Sequence, residues 1–190
     1  MNRTLRRTIV TLALVGLGFA GGTLTGSALH AEPTVTGVDA QLAFVQDNWN
    51  TRSQEYGDLG DSDCVNFVSQ SLVVRGWEQT DDWWHRGVLG MHDYSPAWIS
   101  STAMRDWLAE HPELAVAVDG DARDRVALGD IVQFDWDSSG NRDHTGIVVR
   151  IEGDQIFYAS HSNDRESQSV DDAIAMDGRG GQIYFWHLMA

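Results

Sequence analysis

Two kinds of hydrophobic spacing divide this chain. Before Pro112 the apolar positions recur at helical intervals, and from Leu114 onward they form short strand-like runs. Val38, Leu42, Val45 and Trp49 fall on one stripe of a helix at i, i+4, i+7 and i+11. The polar, Gly-containing stretch Asn50 to Asp61 reads as a loop. Ser62 and Asp63 are good N-cap types, so a second helix is predicted to start there and to end near Arg75, with Gly76 as its stop. Trp77 to Tyr94 reads as irregular and is rich in Trp and His. Ser95 followed by Pro96 opens a third helix, with Ile99, Ala103, Trp107 and Leu108 as its buried side and Pro112 closing it.

The second half changes period. Leu114 to Val118, Ile131 to Trp136, Thr145 to Ile151, Gln155 to Ser160 and Gln182 to Leu188 are rich in Val, Ile, Phe, Tyr and Trp. Gly153-Asp154 separates two of these runs as a tight hairpin turn. Helices first and a meandering antiparallel sheet afterwards predict an α+β domain.

The N-terminus reads differently from the rest. Arg3, Arg6 and Arg7 precede an apolar run from Ile9 to Ala20, and small residues follow, the pattern of an export signal cut after Ala28 or Ala31. The apolar core is short for a layer of ~30 Å, so a cleaved signal peptide over 1–31 is expected, with an uncleaved anchor from Ile9 to Leu29 as the alternative. A short lead-in, 32–37, and one domain, 38–190, complete the organisation. The 190 residues suffice for one domain with a real core. Eight Trp, six Phe and four Tyr say that the core is packed.

Charge narrows the function classes. The chain carries 28 acidic residues against 13 basic ones, a net −15, and every basic residue is Arg. Without residues 1–31 it keeps ten Arg against all 28 acids, a net −18. Nucleic acid is therefore not an expected partner, since phosphate affinity needs clustered cations. The expected product is a monomer, secreted or cell-wall associated, without stable membrane contact once the signal is removed.

One Cys excludes an internal disulfide and leaves a free thiol in an exported protein. Cys64 reads either as a small buried hydrophobe or as a nucleophile at the first turn of a helix, where unpaired N–H groups and the dipole stabilise a thiolate. The nucleophile reading expects Cys64 to alkylate faster than an ordinary thiol at pH 6. Asp61 and Asp63 oppose that ionisation, so a base is required. His144, at the mouth of a strand, is the candidate. The group that orients its ring is expected from the next strand, which ends in His161-Ser162-Asn163 and offers His161 or Asn163.

Asp63-Cys64-Val65-Asn66-Phe67-Val68-Ser69-Gln70 closely resembles the Asp-Cys-x-Asn-Phe-x-Ser-Gln segment of the bacterial putative amidase domain family, a branch of the papain-like superfamily related to NlpC-type and CHAP domains. The likeness continues through Gly76-Trp77, Ser95-Pro96-x-Trp98, Gly129-Asp130-Ile131-Val132, Asp143-His144-x-Gly146-Ile147-Val148 and Ser160 to Asp164. It implies a papain-like fold with N-terminal helices on an antiparallel sheet. It also implies a Cys nucleophile, a His base and a polar third group acting on amide bonds. Those roles map onto Cys64, His144 and either Asn163 or His161, and the CHAP relatives favour Asn163. Peptidoglycan peptides are the expected substrate, and no cofactor is expected. A secreted binding or effector module that keeps the fold without turnover is the alternative.

Other signals are weaker. The oxyanion hole is expected at the Cys64 N–H, with Gln54 or Tyr56 as upstream candidates and a solvated loop as the plain alternative. Asn66 is expected to tie the helix start to a neighbouring loop. Asp135-x-Asp137-x-Ser139-Gly140-x-x-Asp143 resembles nine positions of a calcium loop but has Gly146 where the bidentate Glu belongs, so a hairpin loop is preferred. No His pair has zinc-ligand spacing. Trp83-Trp84 reads as a satellite hydrophobic cluster rather than a substrate groove.

Overall fold

The computed structural model describes residues 37–189. The export signal read at 1–31 and most of the 32–37 lead-in lie outside the described residues. Among those described, no helix is long and apolar enough to cross a membrane.

The first two predicted helices form as α1 (Val38–Asn48) and α2 (Cys64–Arg75). On α1 the buried positions are Val45 and Gln41, while Leu42 is only half-buried. Gln41 belongs inside because its amide is satisfied: Nε2 donates to Ser71 Oγ at 3.3 Å and Oε1 accepts from Arg75 at 2.9 Å. Helix α2 is buried without a break from Cys64 to Leu72, so it is the central helix rather than an amphipathic one. It stops at Gly76, whose φ of 111° is left-handed and whose N–H closes back on Val73 O at 3.0 Å.

Two segments differ from expectation. The third helix is two, α3 (Pro96–Ile99) and α4 (Ser101–Glu110), because Ser100 is extended and its hydroxyl caps Ala103 N–H at 3.3 Å. That restart moves the buried side onto Ser101, Met104, Trp107 and Leu108, and leaves Ile99 and Ala103 half-buried. The stretch from Trp77 to Tyr94 is not irregular throughout. It contains a hairpin, β1 (His85–Val88) with β2 (Met91–Tyr94), turning at Leu89-Gly90 with φ of 53° and 76°. Such turns need positive φ at both positions, and Leu in that place gives no signal.

The main sheet comprises β3 (Ala115–Asp119), β4 (Ile131–Asp135), β5 (His144–Glu152), β6 (Gln155–Ser160), β7 (Arg165–Ser169) and β8 (Gln182–Leu188). Its order is β3-β8-β4-β5-β6-β7 with every pair antiparallel, so the last strand inserts between the first two and the sheet is not a simple meander. The architecture is α+β. The polar edge strand β7 and helix α5 (Val170–Asp177) carry no strong hydrophobic signal in the sequence.

Alternation along the strands gives the sheet two faces. Ile131, Ile147, Ala159, Trp186 and Leu188 pack with Cys64, Phe67, Trp83, Trp98 and Trp107 against the helices. Val132, Phe134, Val148, Tyr158 and Phe185 pack with Val170 and Ala173 of α5 on the other side.

Candidate active site

Cys64 opens α2 on the helix face of the sheet, where it is 7% exposed. Its Sγ lies 3.8 Å from Ser101 Oγ, and the nearby backbone amides of Thr145 and Val65 act with that hydroxyl to favour the ionised sulfur. A chain of donors stands behind Ser101. Trp186 Nε1 donates to Gln133 Oε1 at 3.0 Å, Gln133 Nε2 to Thr145 Oγ1 at 3.3 Å, and Thr145 Oγ1 to Ser101 Oγ at 2.8 Å. With its lone pair taken by Thr145, the Ser101 hydroxyl proton is free to point at sulfur. These donors favour a thiolate, but burial outweighs them and pushes the thiol up, with the Asp63 charge adding to it. The magnitudes explain the order. A helix N-terminus is worth about 0.3–1 kcal/mol, and one pKa unit is about 1.4 kcal/mol, so the dipole cannot offset a desolvated sulfur. The resting form is the protonated thiol, contrary to the easily alkylated cysteine expected from the sequence.

Asp63, buried just before the sulfur, is a hub. Its Oδ1 accepts from Leu59 N at 3.1 Å and Asn66 Nδ2 at 2.8 Å, and its Oδ2 is ion-paired with Arg52, whose Nε lies 3.4 Å away. His161 Nδ1 lies 2.6 Å from the same Oδ2, and His161 Nε2 lies 2.8 Å from Asn48 O. A carbonyl only accepts, so Nε2 must donate to Asn48, and Nδ1 is turned to the Asp63 carboxylate. The His161 ring stacks on Phe67 with centroids 4.0 Å apart. Both its nitrogens are therefore engaged away from His144, and His161 is a structural histidine, not the orienting group.

The same segment fixes its surroundings. Asn66 donates to Gly57 O at 3.3 Å and accepts from Trp98 Nε1 at 2.9 Å, tying the helix start to the preceding loop as expected. Ser69 accepts from Trp83 Nε1 and donates to Trp98 O, each at 3.1 Å. Tyr56 is held by Tyr94, whose hydroxyl donates to Tyr56 O at 2.8 Å, while Gln54 is exposed. Trp83 is fully buried and stacks on Trp107 at 5.4 Å, and Trp84 carries Arg86 over its ring at 4.4 Å.

His144 begins β5 with its side chain on the other face, among Phe134 at 5.8 Å, Trp136 at 6.1 Å and Tyr158 at 6.1 Å between ring centroids. Burial, helped by the Arg165 charge, lowers its pKa from 6.5 to about 4, so it is neutral at physiological pH. Gly146 makes room beside it, since a Cβ there would sit 2.6 Å from Tyr158 Cδ2. His144 opens into a cleft of about 370 Å³ shared with Asp61, Ser160, Asn163 and Arg165. The structure thus places the sulfur on the helix face of the sheet and the imidazole, at the start of β5, on the opposite face. No hydrogen bond joins them among the described residues. Asn163, at φ 82° in the turn after β6, lines the same cleft without a hydrogen bond to His144.

The loop between β4 and β5 holds Asp135, Asp137 and Asp143 with oxygens within 4.8 Å of one another. Asp135 is occupied by the N–H groups of Ser139 at 3.0 Å and Gly140 at 2.8 Å, with Arg142 at 3.8 Å, so the loop is closed by its own chain.

The family model described as putative amidase domain matches residues 38–186. The chain belongs to the putative amidase domain family. Two proteins of Bacillus subtilis (strain 168) are similar to it, the uncharacterized proteins YjcM and YhbB, each 26% identical, over 120 and 114 residues. Those matches cover 60% and 57% of this chain but only 27% and 35% of the relatives, so the chain spans about a third or less of their length. No solved structure matches it. Family membership supports amide hydrolysis and covers all of the Cys64 and His144 surroundings.

Sequence reasoning missed Ser101, Thr145, Ser160 and Arg165. Ser101 was hidden by reading one continuous helix through Ser100. Arg165 was hidden because β7 lacks an apolar alternation.

Proposed function

We propose that this putative amidase domain is a cysteine-dependent amidase or endopeptidase of papain-like type. One observation carries the reading: in a chain of an amidase family, a thiol stands at the start of the central helix 3.8 Å from the Ser101 hydroxyl, which is itself bonded to Thr145, the neighbour of His144. The reading requires His144, at the end of its strand, to leave the Phe134–Trp136–Tyr158 box and reach round to the sulfur's face, where it takes the thiol proton and the thiolate attacks the amide carbonyl carbon. The N–H groups around Cys64 stabilise the oxyanion. The imidazolium then protonates the leaving amine as the C–N bond breaks, leaving a thioester. Water, deprotonated by His144, attacks the thioester carbonyl, and the carboxylic acid and the thiol are released. Asn163, which lines the His144 cleft, is the proposed group to hold the ring from the solvent side.

The proposed substrate is the peptide part of peptidoglycan, reached after export and loss of residues 1–31, with the enzyme acting as a monomer. Mass spectrometry of purified muropeptides before and after incubation tests this. A new pair of fragments that Cys64→Ala fails to produce is expected. Unchanged muropeptides would favour the second reading, a non-catalytic binding module. That reading draws on the buried, protonated sulfur and its lack of a hydrogen bond to His144.

A further inference from the structure

We infer that Arg165, in the cleft of His144, is a carboxylate-binding subsite, so that the amide hydrolysed belongs to a substrate with a free carboxylate close to the scissile bond. This rests on the hydrolase reading above and adds a recognition element to it.

The argument begins with Arg usage. Arg52, Arg105, Arg123, Arg142, Arg150 and Arg179 each lie within 4.0 Å of a carboxylate. Arg165 does not, nor do Arg75, Arg86 and Arg125 among the described residues, but Arg165 is the one of these four that lines the His144 cleft. Its position is built rather than accidental. Nε donates to Gln168 Oε1 at 2.7 Å, and the same oxygen accepts from Tyr158 OH at 3.2 Å, a residue of the His144 box. Fixed through Nε, the guanidinium has only a 3.4 Å contact from Nη1 to Asp164 O at its other end. A planar fork of that kind matches the two oxygens of a carboxylate.

A second observation points to a ligand. Ser160 is the cross-strand partner of Arg165 and lines the same cleft. It is 0% exposed, and its Oγ has no hydrogen-bond partner among the described residues. A buried hydroxyl left without a partner is costly, and a carboxylate in the cleft would supply one. The acids there do not fill the role. Asp143 Oδ2 accepts from Trp136 N at 2.8 Å and Asp177 holds Arg179 at 2.8 Å, while Asp61 is exposed on the rim. Binding would also act on the chemistry. The Arg165 charge lowers the basicity of His144, and a carboxylate on Arg165 would cancel it, making the imidazole a better base when substrate is present.

The test uses the full chain carrying Cys64→Ala, with N-acetylalanine and its neutral amide as probes, read by the His144 imidazole resonances in NMR. N-acetylalanine is expected to shift them saturably and to move the His144 titration upward, while the amide leaves both unchanged and Arg165→Gln abolishes the response. An equal response to both probes, or one that survives in Arg165→Gln, overturns the subsite. With active enzyme, Arg165→Gln is expected to raise KM by about 10- to 100-fold for peptides with a free carboxylate and to raise it at least tenfold less for amidated peptides. Hydrolysis without that preference removes the subsite alone. Carboxylate-dependent shifts with no hydrolysis of any peptide keep the subsite and remove the hydrolase.

Discussion

The two faces of the sheet are built on opposite principles. The helix face, around Cys64, is closed and most of its polar groups are paired: Asp63, Asn66, Ser69, Ser101, Gln133, Thr145 and His161 bond to one another or to backbone, while Gln70 Nε2 and Trp107 Nε1 have no partner among the described residues. The α5 face, around His144, opens into a cleft with an unpartnered Ser160 hydroxyl and an Arg without a carboxylate. The first arrangement fixes a backbone and a sulfur, and the second leaves donors free. The difference teaches that order and reactivity are separated here by one strand thickness, with Thr145 as the crossing point.

The sharpest way to break that division is at its two reactive groups. Cys64→Ala is expected to abolish hydrolysis with the circular dichroism spectrum intact, since a small residue fits its site. Hydrolysis that persists removes the sulfur from the chemistry. His144→Gln is expected to lower turnover by roughly 10²- to 10⁴-fold, the range for a lost general base, and steady-state rates on the cleaved muropeptide check it.

On the helix face the effect should be structural instead. Asp63→Ala leaves Arg52 and His161 without their shared carboxylate, and urea unfolding is expected to show a loss of about 3–5 kcal/mol. A loss below about 1 kcal/mol, the level of an exposed ion pair, would mean that the hub is solvated.

The α5 face also has a pH signature. Folded His144 titrates at about 4 against 6.5 for the free side chain, so between these values the unfolded chain binds the extra proton. Its contribution is fully present above pH 6.5 and is lost as the pH falls toward 4. Its upper bound is about 3 kcal/mol, reduced by solvent at a half-buried ring. His144→Gln should flatten that part of the stability profile, and an unchanged slope would mean that the imidazole is solvated when folded.

The smallest effect belongs to the relay. Ser101→Ala removes the hydroxyl beside sulfur and is expected to lower the alkylation rate of Cys64 by roughly fivefold, the equivalent of about 1 kcal/mol for a neutral hydrogen bond. Wild-type alkylation by iodoacetamide at pH 6 should itself be slower than that of a free thiol and should rise with pH.

How much of this was legible follows from which interactions are local. The bounds of α2 were readable, because Gly76 is an end signal that acts within one turn, while Asp63 marks the start by position only, its carboxylate capping no helix N–H. The strands with apolar runs were readable too. The β1–β2 hairpin was not, since Leu89 takes a positive φ that its residue type does not advertise. Candidate residues Cys64, His144 and Asn163 were legible as types, and Asn163 does reach the His144 cleft. The role of His161 was misread because its partners, Asn48 and Asp63, are distant in sequence and set by packing. The thiol was misread because a helix start is visible in a sequence and desolvation is not.

Intact-protein mass spectrometry after rapid acid quench with the cleaved muropeptide tests the central claim most directly. The account expects a covalent adduct of one acyl fragment on Cys64, accumulating before steady state and absent from Cys64→Ser. Product release with the sulfur unmodified at every time point would contradict it.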